Sequence, residues 1–431
     1  MKFFIKTYGC QMNVLDSDKI GGILSSLGYE PAAGAREADL ILLNTCSVRE
    51  GAASKVFAEL GRLRPLKRRG DVILGVVGCV AQQEGEAIFQ RAPYVDLVMG
   101  PRAIQHLPEL LQQARDSRAL DTTFYEDSVL FPDRLIARTH TAKAFITVME
   151  GCDKQCAFCI VPTTRGREVC RPLADILVEA RRALDQGYIE VELLGQNVNC
   201  WKEGKSGFVD LLDAVSLLPG LKRLRFTTSH PRHFPLAAAD LMAARPVLCP
   251  YLHLPVQAGS DRILKLMRRQ YDRGWYLDLI SAVRERVPHV ALSTDIIVGF
   301  PAESEADFED TLDVVRRVEY DQIFSFRYSP RPGTPAASMG EAVPEETARM
   351  RHQRLLQEQA PIQARRYRAF AGRVMELLVE GPSAREGTWA GRTPCNKVVN
   401  FGAPLPPKPG TLVTVRVTRS SQNSLQGELV T

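Results

Sequence analysis

Glu150-Gly151-Cys152-Asp153-Lys154-Gln155-Cys156-Ala157-Phe158-Cys159 decides how this 431-residue chain is read. The stretch follows an apolar run, Ala144–Val148, that reads as a buried strand. Its cysteines are spaced C-x3-C-x2-C. Three thiolates on one short loop can each take one iron of a 4Fe–4S cube, which leaves the fourth iron without a protein ligand. An open position of that kind marks a catalytic rather than a structural metal site. A structural zinc loop wants a fourth ligand, usually from a second C-x2-C pair, and the chain has no such partner pair.

Outward from the loop, strand and helix patterns alternate. Further strand candidates are Glu190–Leu194, Leu224–Thr228, Tyr251–Pro255, Leu292–Val298 and Gln322–Arg327, with helical stretches such as Ala174–Gln186 and Arg273–Arg286 between them. Six strand–helix units predict a full or partial (β/α) barrel, whose chemistry sits at the carboxyl ends of its strands. Glu345–Tyr367 reads as a long charged helix that closes this domain. Upstream, Phe3–Thr7, Leu40–Asn44, Val72–Val77 and Leu97–Met99 alternate with helices over Asp16–Leu27, Val56–Leu63 and Ala81–Arg91, which predicts a parallel α/β sheet. Asp116–Thr141 loses the rhythm and reads as a linker. Downstream, Val374–Val379, Lys397–Phe401, Leu412–Thr418 and Leu425–Val430 are short β runs broken by Gly and Pro. They predict a small β-barrel of the oligonucleotide-binding sort. The fold class is α/β, with domains at 1–118, 138–367 and 368–431.

A second cysteine triplet lies in the first domain. Cys10 stands in Tyr8-Gly9-Cys10-Gln11-Met12-Asn13, Cys46 in Asn44-Thr45-Cys46-Ser47, and Cys79 in Gly78-Cys79-Val80-Ala81-Gln82. Each follows the carboxyl end of a predicted parallel strand, where α/β sheets bind ligands. Adjacent strands are about 4.8 Å apart, so three such loops can gather their sulfurs around one cluster. Gly9 and Gly78 permit a close backbone approach. One such cysteine alone would read as a small core hydrophobe; three at matching positions read as metal ligands. Cys170, Cys200, Cys249 and Cys395 have no metal spacing and read as core or spare thiols.

Ten cysteines without a secretory leader point to metal or redox chemistry rather than a disulfide framework. Met1–Ile5 is too short an apolar start for such a leader, so a cytoplasmic address is expected. No apolar run reaches the roughly eighteen residues of a membrane span. The net charge of +5 is concentrated at one end: Arg366–Thr431 holds nine Lys/Arg and four Asp/Glu, and the preceding residues hold 46 of each sign. That tail suggests a module that meets an anion, most plausibly nucleic acid.

The central triplet resembles the signature of the radical S-adenosylmethionine superfamily. The resemblance implies that S-adenosylmethionine chelates the open iron and is cleaved to a 5′-deoxyadenosyl radical, with Phe158 lying against its adenine. Together with the N-terminal triplet and the β tail, the chain resembles the methylthiotransferases over nearly its whole length, the tail corresponding to a TRAM RNA-binding domain. Asn44-Thr45-Cys46-Ser47-Val48-Arg49-Glu50, Gly195-Gln196-Asn197-Val198-Asn199, Phe226-Thr227-Thr228-Ser229-His230-Pro231, Tyr328-Ser329-Pro330-Arg331-Pro332-Gly333-Thr334 and the run from Gly391-Arg392-Thr393 to Val398-Val399-Asn400-Phe401 are similar to the branch that modifies N6-isopentenyladenosine. Cys170 and Ala258 depart from it where serine is expected; neither is a cluster ligand.

The resemblance implies methylthio insertion at C2 of adenosine 37, next to the tRNA anticodon. Two S-adenosylmethionine molecules serve as methyl donor and radical source, and two 4Fe–4S clusters are held by Cys152, Cys156, Cys159 and by Cys10, Cys46, Cys79. Expected partners are the tRNA anticodon stem-loop, an electron donor such as flavodoxin or ferredoxin, and an unknown sulfur donor, with no membrane and a monomeric chain. Gly195, Gln196, Asn197, Gln257 and Asp295 are expected to face the bound cofactor from the barrel top. Arg165, with Arg167, is expected to meet a carboxylate or phosphate as a bidentate donor. His230 is expected to orient a loop. Two other substrates stay open within the family, threonylcarbamoyladenosine in tRNA and a ribosomal protein aspartate. Outside enzymes, the alternative is a non-catalytic iron–sulfur or zinc protein that binds RNA.

Overall fold

Leu40-Ile41-Leu42-Leu43-Asn44-Thr45 is buried at every position, as a strand covered by helices on both faces must be. It lies inside the first sheet of the computed structural model, which describes residues 1–47, 52–126 and 131–430. Val48, Arg49 and Glu50 of the string quoted above, and Thr431, lie outside these. Among the described residues, β1 (Lys2–Tyr8), β2 (Glu30–Pro31), β3 (Leu40–Thr45), β4 (Ile73–Gly78), β5 (Leu97–Met99) and β6 (Ala119–Asp121) form one parallel sheet in the order β2-β1-β3-β4-β5-β6. Its helices are α1 (Gln11–Ser26), α2 (Ala52–Leu63), α3 (Cys79–Glu84), α4 (Ala87–Arg91) and α5 (Leu107–Asp116). Leu40 and Leu42 pack toward α1 and α5, and Ile41 and Leu43 toward α2, α3 and α4. The period of two along β3 thus builds two cores.

Three details differ from the sequence expectation. First, α1 starts at Gln11 and not near Asp16, because Met12 and Leu15 pack on Phe145 and Leu194 of the next domain rather than on their own sheet. Second, Ala81–Arg91 is two helices, interrupted at Gly85 with φ +50°. Third, the first sheet runs past position 118: β6 falls in the stretch read as linker, too short at three residues to show an alternation. Leu135, Ala137 and Thr139 of that stretch are strapped to α1. Thr139 donates twice to Asp18 Oδ1, from N at 3.1 Å and from Oγ1 at 2.7 Å. A Cβ on Gly22 would fall 1.2 Å from the Leu135 carbonyl oxygen.

The central domain holds the six expected strands: β7 (Ala144–Thr147), β8 (Glu190–Leu194), β9 (Arg223–Thr227), β10 (Tyr251–His253), β11 (Ala291–Val298) and β12 (Gln322–Arg327). They run in parallel as β9-β8-β7 and β10-β11-β12, joined by a bridge from Leu224 to Leu248. The result is an open, partial barrel. The short α6 (Val161–Arg165) follows the cysteine loop, and α7 (Leu173–Asp185), α8 (Phe208–Ser216), α9 (Leu236–Ala244), α10 (Asp261–Leu266), α11 (Arg273–Arg286) and α12 (Glu305–Val318) follow it along the chain. Val191, Leu193, Leu224 and Phe226 pack among these helices. The alternate positions carry charge, with Glu190 opposite Arg223 and Glu192 opposite Arg225 across β8 and β9.

That charged face receives the third domain. Helix α13 (Glu345–Arg368) leads into β13 (Val374–Pro382), β14 (Thr388–Arg392), β15 (Val398–Gly402), β16 (Leu412–Ser420) and β17 (Leu425–Leu429), which close as a barrel in the order β13-β14-β15-β17-β16. The turn after β14 presses on the central domain. Arg225 donates to the Thr393 and Pro394 carbonyls, each at 2.8 Å, and Lys397 Nζ meets Asp321 at 2.5 Å. Part of the basic excess is therefore neutralised inside the molecule: Arg366 also pairs with Asp321, and Arg392 with Glu380. Arg368, Arg373, Arg385, Lys408, Arg416 and Arg419 remain at the surface.

Candidate functional site

The N-terminal triplet is assembled by strand register. Tyr8 lies opposite Thr45, and Thr45 opposite Gly78, so β1, β3 and β4 end level and deliver Cys10, Cys46 and Cys79 to one edge. The glycines admit two amides. A Cβ on Gly9 would lie 2.3 Å from Asn13 Oδ1, and one on Gly78 2.4 Å from Asn44 Oδ1. These side chains bond each other, Asn13 Nδ2 donating to Asn44 Oδ1 at 3.2 Å, and Asn13 Oδ1 faces the Cys10 thiol at 3.4 Å. A hydrogen bond from Cys46 pulls the Cys10 thiol down to about 6, against burial and with help from the charge of Arg165. Burial instead pushes the Cys79 thiol up.

Cys152, Cys156 and Cys159 follow β7 and line one cleft at the carboxyl end of the strands. Burial lifts the Cys152 thiol to about 11 and the Cys159 thiol to about 12, and a metal that takes them as thiolates would release those protons. Among the described residues no three Cys, His, Asp or Glu side chains close on a single-ion site. A cube asks for something looser, three thiols that face a common space and take one iron each. Cys152, Cys156 and Cys159, which line one cleft, suit that requirement, and so do Cys10, Cys46 and Cys79, which follow strands that end level.

Four buried charges join the two triplets. Asp16 and Lys19 are one turn apart on α1, behind Cys10. Asp16 meets Arg165 at 2.5 Å, and Lys19 meets Glu150 at 3.4 Å, with every side chain at most 6% exposed. Glu150 precedes the radical-type loop and Arg165 ends the helix that follows it, so the first domain grips that loop at both shoulders. Arg102 adds bonds to the Arg165 and Arg167 carbonyls at 2.9 and 2.7 Å.

The remaining expected residues divide. Phe158, Gln257 and Asp295 line a second cleft beside Cys159. Gln257 is held there with φ +72° by backbone bonds to Asp295 and Ile297, a strained conformation of the kind found at binding sites. Gln196 lies across the loop, accepting from the Gly151 N–H at 2.5 Å. Gly195 is packed under Met149, and Asn197 donates to Cys200 at 2.9 Å. Gln196 alone of these three bonds the loop, and none of them lines that cleft. Arg165 departs furthest from expectation: its carboxylate is Asp16, and its charge acts on Cys79 and Cys10. Arg167 is exposed at the rim of the cysteine cleft. At His230 the orienting side chain is that of Asn199, whose Nδ2 donates to the His230 carbonyl at 2.9 Å and whose Oδ1 accepts from the His230 N–H at 3.0 Å, while His230 Nδ1 is buried without a partner. Arg269 was not legible in the sequence. It is 4% exposed and donates to Cys156 Sγ at 3.4 Å and to the Pro255 carbonyl at 2.9 Å. Its flanks, Arg268 and Gln270, both have positive φ, which turns the middle arginine inward. Read as a string, Arg268-Arg269-Gln270 looks like solvated surface.

Three family models match the chain: Uncharacterized protein family UPF0004 over residues 2–100, the Radical SAM superfamily over 146–315, and the TRAM domain over 368–430. In fold, the chain is similar to the radical S-adenosylmethionine methyltransferase TsrM from Kitasatospora setae (TM-score 0.57, 16% identity, 78% of this chain and 75% of that one). It is also similar to the cobalamin-dependent radical enzyme OxsB (TM-score 0.54, 13% identity, 84% and 56%). A partial parallel barrel with its three-cysteine loop at the strand ends defines a radical S-adenosylmethionine protein. The tRNA-2-methylthio-N(6)-dimethylallyladenosine synthase of Burkholderia thailandensis is 47% identical over 100% of this chain and 97% of its own length. That of Solibacter usitatus is 45% identical over 99% and 97%. This chain belongs to the tRNA-2-methylthio-N(6)-dimethylallyladenosine synthase family.

Proposed function

We propose that the chain replaces the C2 hydrogen of N6-isopentenyladenosine, at position 37 of tRNA, by a methylthio group. One observation carries the proposal: two three-cysteine sets from different domains are locked to each other by Asp16–Arg165 and Lys19–Glu150. An enzyme that needed only a radical would have no use for the second set. C2–H is too weakly acidic for a general base, and two 4Fe–4S clusters with S-adenosylmethionine supply the methyl group, the sulfur site and the radical that such a carbon requires.

The chain's own residues bind and orient. Cys152, Cys156 and Cys159 hold one cluster, and Cys10, Cys46 and Cys79 the other. Phe158, Gln257 and Asp295 border the cleft for S-adenosylmethionine, the first offering an aromatic face and the others polar groups. Gln196, through the Gly151 N–H, fixes the loop that carries the first cluster. The third domain stands against the barrel with Arg373, Arg385, Arg416 and Arg419 on its surface, suited to the phosphates of an anticodon stem-loop. Lys154, Arg167 and Arg268 rim the cysteine cleft, and an acidic flavodoxin or ferredoxin suits that approach as electron donor. We place the enzyme in the cytoplasm as a monomer; among the described residues no helix is long and apolar enough to cross a membrane.

The test is a nucleoside mass spectrum. Reconstituted protein, tRNA carrying N6-isopentenyladenosine, reductant, sulfide and S-adenosylmethionine should give the 2-methylthio nucleoside together with 5′-deoxyadenosine. An unchanged adenosine, with 5′-deoxyadenosine formed, would refute the substrate.

A further inference from the structure

The six barrel strands keep their residues buried or half-buried, with one exception. Among the described residues Phe324, at 39%, is their one exposed position. Register shows that it points inward. Phe324 pairs with Asp295, and Phe326 with Ile297. Residues paired across a ladder share a face, and Asp295, Ile297 and Phe326 all line the cleft beside Cys159. Ser325, between the two aromatics, turns the other way and bonds His352 of α13. Phe324 therefore stands on the wall of that cleft, about 6–7 Å further from the strand ends than Phe326. His253, which shares a hydrogen bond with Ser293 at 2.9 Å, meets the phenyl ring in a T-shaped contact with centroids 5.7 Å apart. Elsewhere the inner face is covered. Met12 and Leu15 of α1 pack on Phe145 and Leu194, and carbonyls of Thr393 and Pro394 take Arg225. Phe324 is left partly bare, and a bare apolar ring in a concave site marks where the apolar part of a ligand goes.

We propose that Phe324 is a specificity-determining residue that receives the branched five-carbon group on N6 of the substrate adenosine. This rests on the reading of N6-isopentenyladenosine as the substrate. The reacting carbon, C2, belongs at the strand ends, beside Phe158 and Cys159. On the adenine ring N6 leaves from C6, across N1 from C2, so its substituent extends away from the reacting position. The five-carbon chain is the wholly apolar part of the modified base. One inward position deeper on the same wall, Phe324 offers it an apolar surface, while its neighbours His253, Ser293 and Asp295 offer polar groups.

The experiment titrates full-length, anaerobically reconstituted protein with two tRNAs, one carrying N6-isopentenyladenosine and the other plain adenosine at position 37. S-adenosylmethionine is present, reductant is left out, and the variants are compared at equal iron content. The wild type should bind the isopentenylated tRNA about tenfold or more tighter, as small apolar groups do in a fitted pocket. Phe324→Ala should bring the two affinities within about threefold by weakening the isopentenylated tRNA alone, and Phe324→Leu should restore most of the difference. An equal loss on both tRNAs would mean that the ring holds the base itself and would overturn the proposal. So would a Phe324→Ala protein that discriminates like the wild type, or a wild type that binds both tRNAs alike. A wild type with both clusters that makes no methylthio nucleoside once reductant is added would instead defeat the substrate reading on which the proposal rests.

Discussion

Asp18 shows how much polar chemistry α1 carries into the domain joint. Burial lifts its carboxyl to about 6, and the two bonds from Thr139 offset this only in part. Because the folded pKa is raised, the folded state favours the protonated acid. The destabilisation is absent below the unfolded value near 4, appears as pH rises, and is complete above about 6. Asp18→Asn should therefore gain on the wild type by on the order of 2–3 kcal/mol between pH 4 and pH 7.5, read as a widening difference in melting temperature; a constant difference would contradict the shift. Arg269 gives a second residue-scale expectation. Arg269→Met removes the buried N–H groups on Cys156 and Pro255, so the central cluster should be lost while the N-terminal one stays, halving the iron content. Arg269→Lys should not rescue it, because an ammonium cannot reproduce the fork. The six cysteines were legible from spacing and from their matching places after strands. Asp16, Lys19, Asn13 and Asn44 were not: each sits on an element whose pattern reports its own sheet, and their partners lie up to about 150 residues away.

Elements behave similarly. All six barrel strands and the long α13 were readable, most as runs in one period and the three-residue β10 from the longer run Tyr251–Pro255 around it. The early start of α1 was missed because its first turn packs on the next domain, and β6 because three residues show no alternation. Gly21-Gly22 in α1 was the available signal for the strap, a pair of small residues in a helix where alanine would be favoured locally. Gly22→Ala should cost about 3 kcal/mol or more, since its Cβ meets the Leu135 carbonyl at 1.2 Å. The strap should then become accessible to protease near 135. Gly34→Ala, with nothing within 4 Å of its Cβ, should stay within about 0.5 kcal/mol of wild type.

The molecule as a whole is two domain joints around one partial barrel. One joint sets the cysteine triplets against each other; the second sets the third domain on the charged strands. Asp321 anchors the latter with Lys397 and Arg366. Asp321→Ala strands two cations, at a cost of about 3–5 kcal/mol, and should release the third domain to limited proteolysis near 370 without loss of iron. The three-domain order was legible from changes in strand and helix rhythm. The placement of Arg165 at the N-terminal triplet was not, because sequence order assigns it to the loop it follows.

The central claim is that two separate cysteine triplets each hold a cluster in one chain. Iron and sulfide counting on fully reconstituted protein tests it most directly. The account predicts about eight irons for wild type and about four both for the Cys10/Cys46/Cys79→Ala protein and for the Cys152/Cys156/Cys159→Ala protein, with a different paramagnetic signal surviving in each. A wild type that saturates at four, or a triple variant of either set that keeps eight, would contradict it.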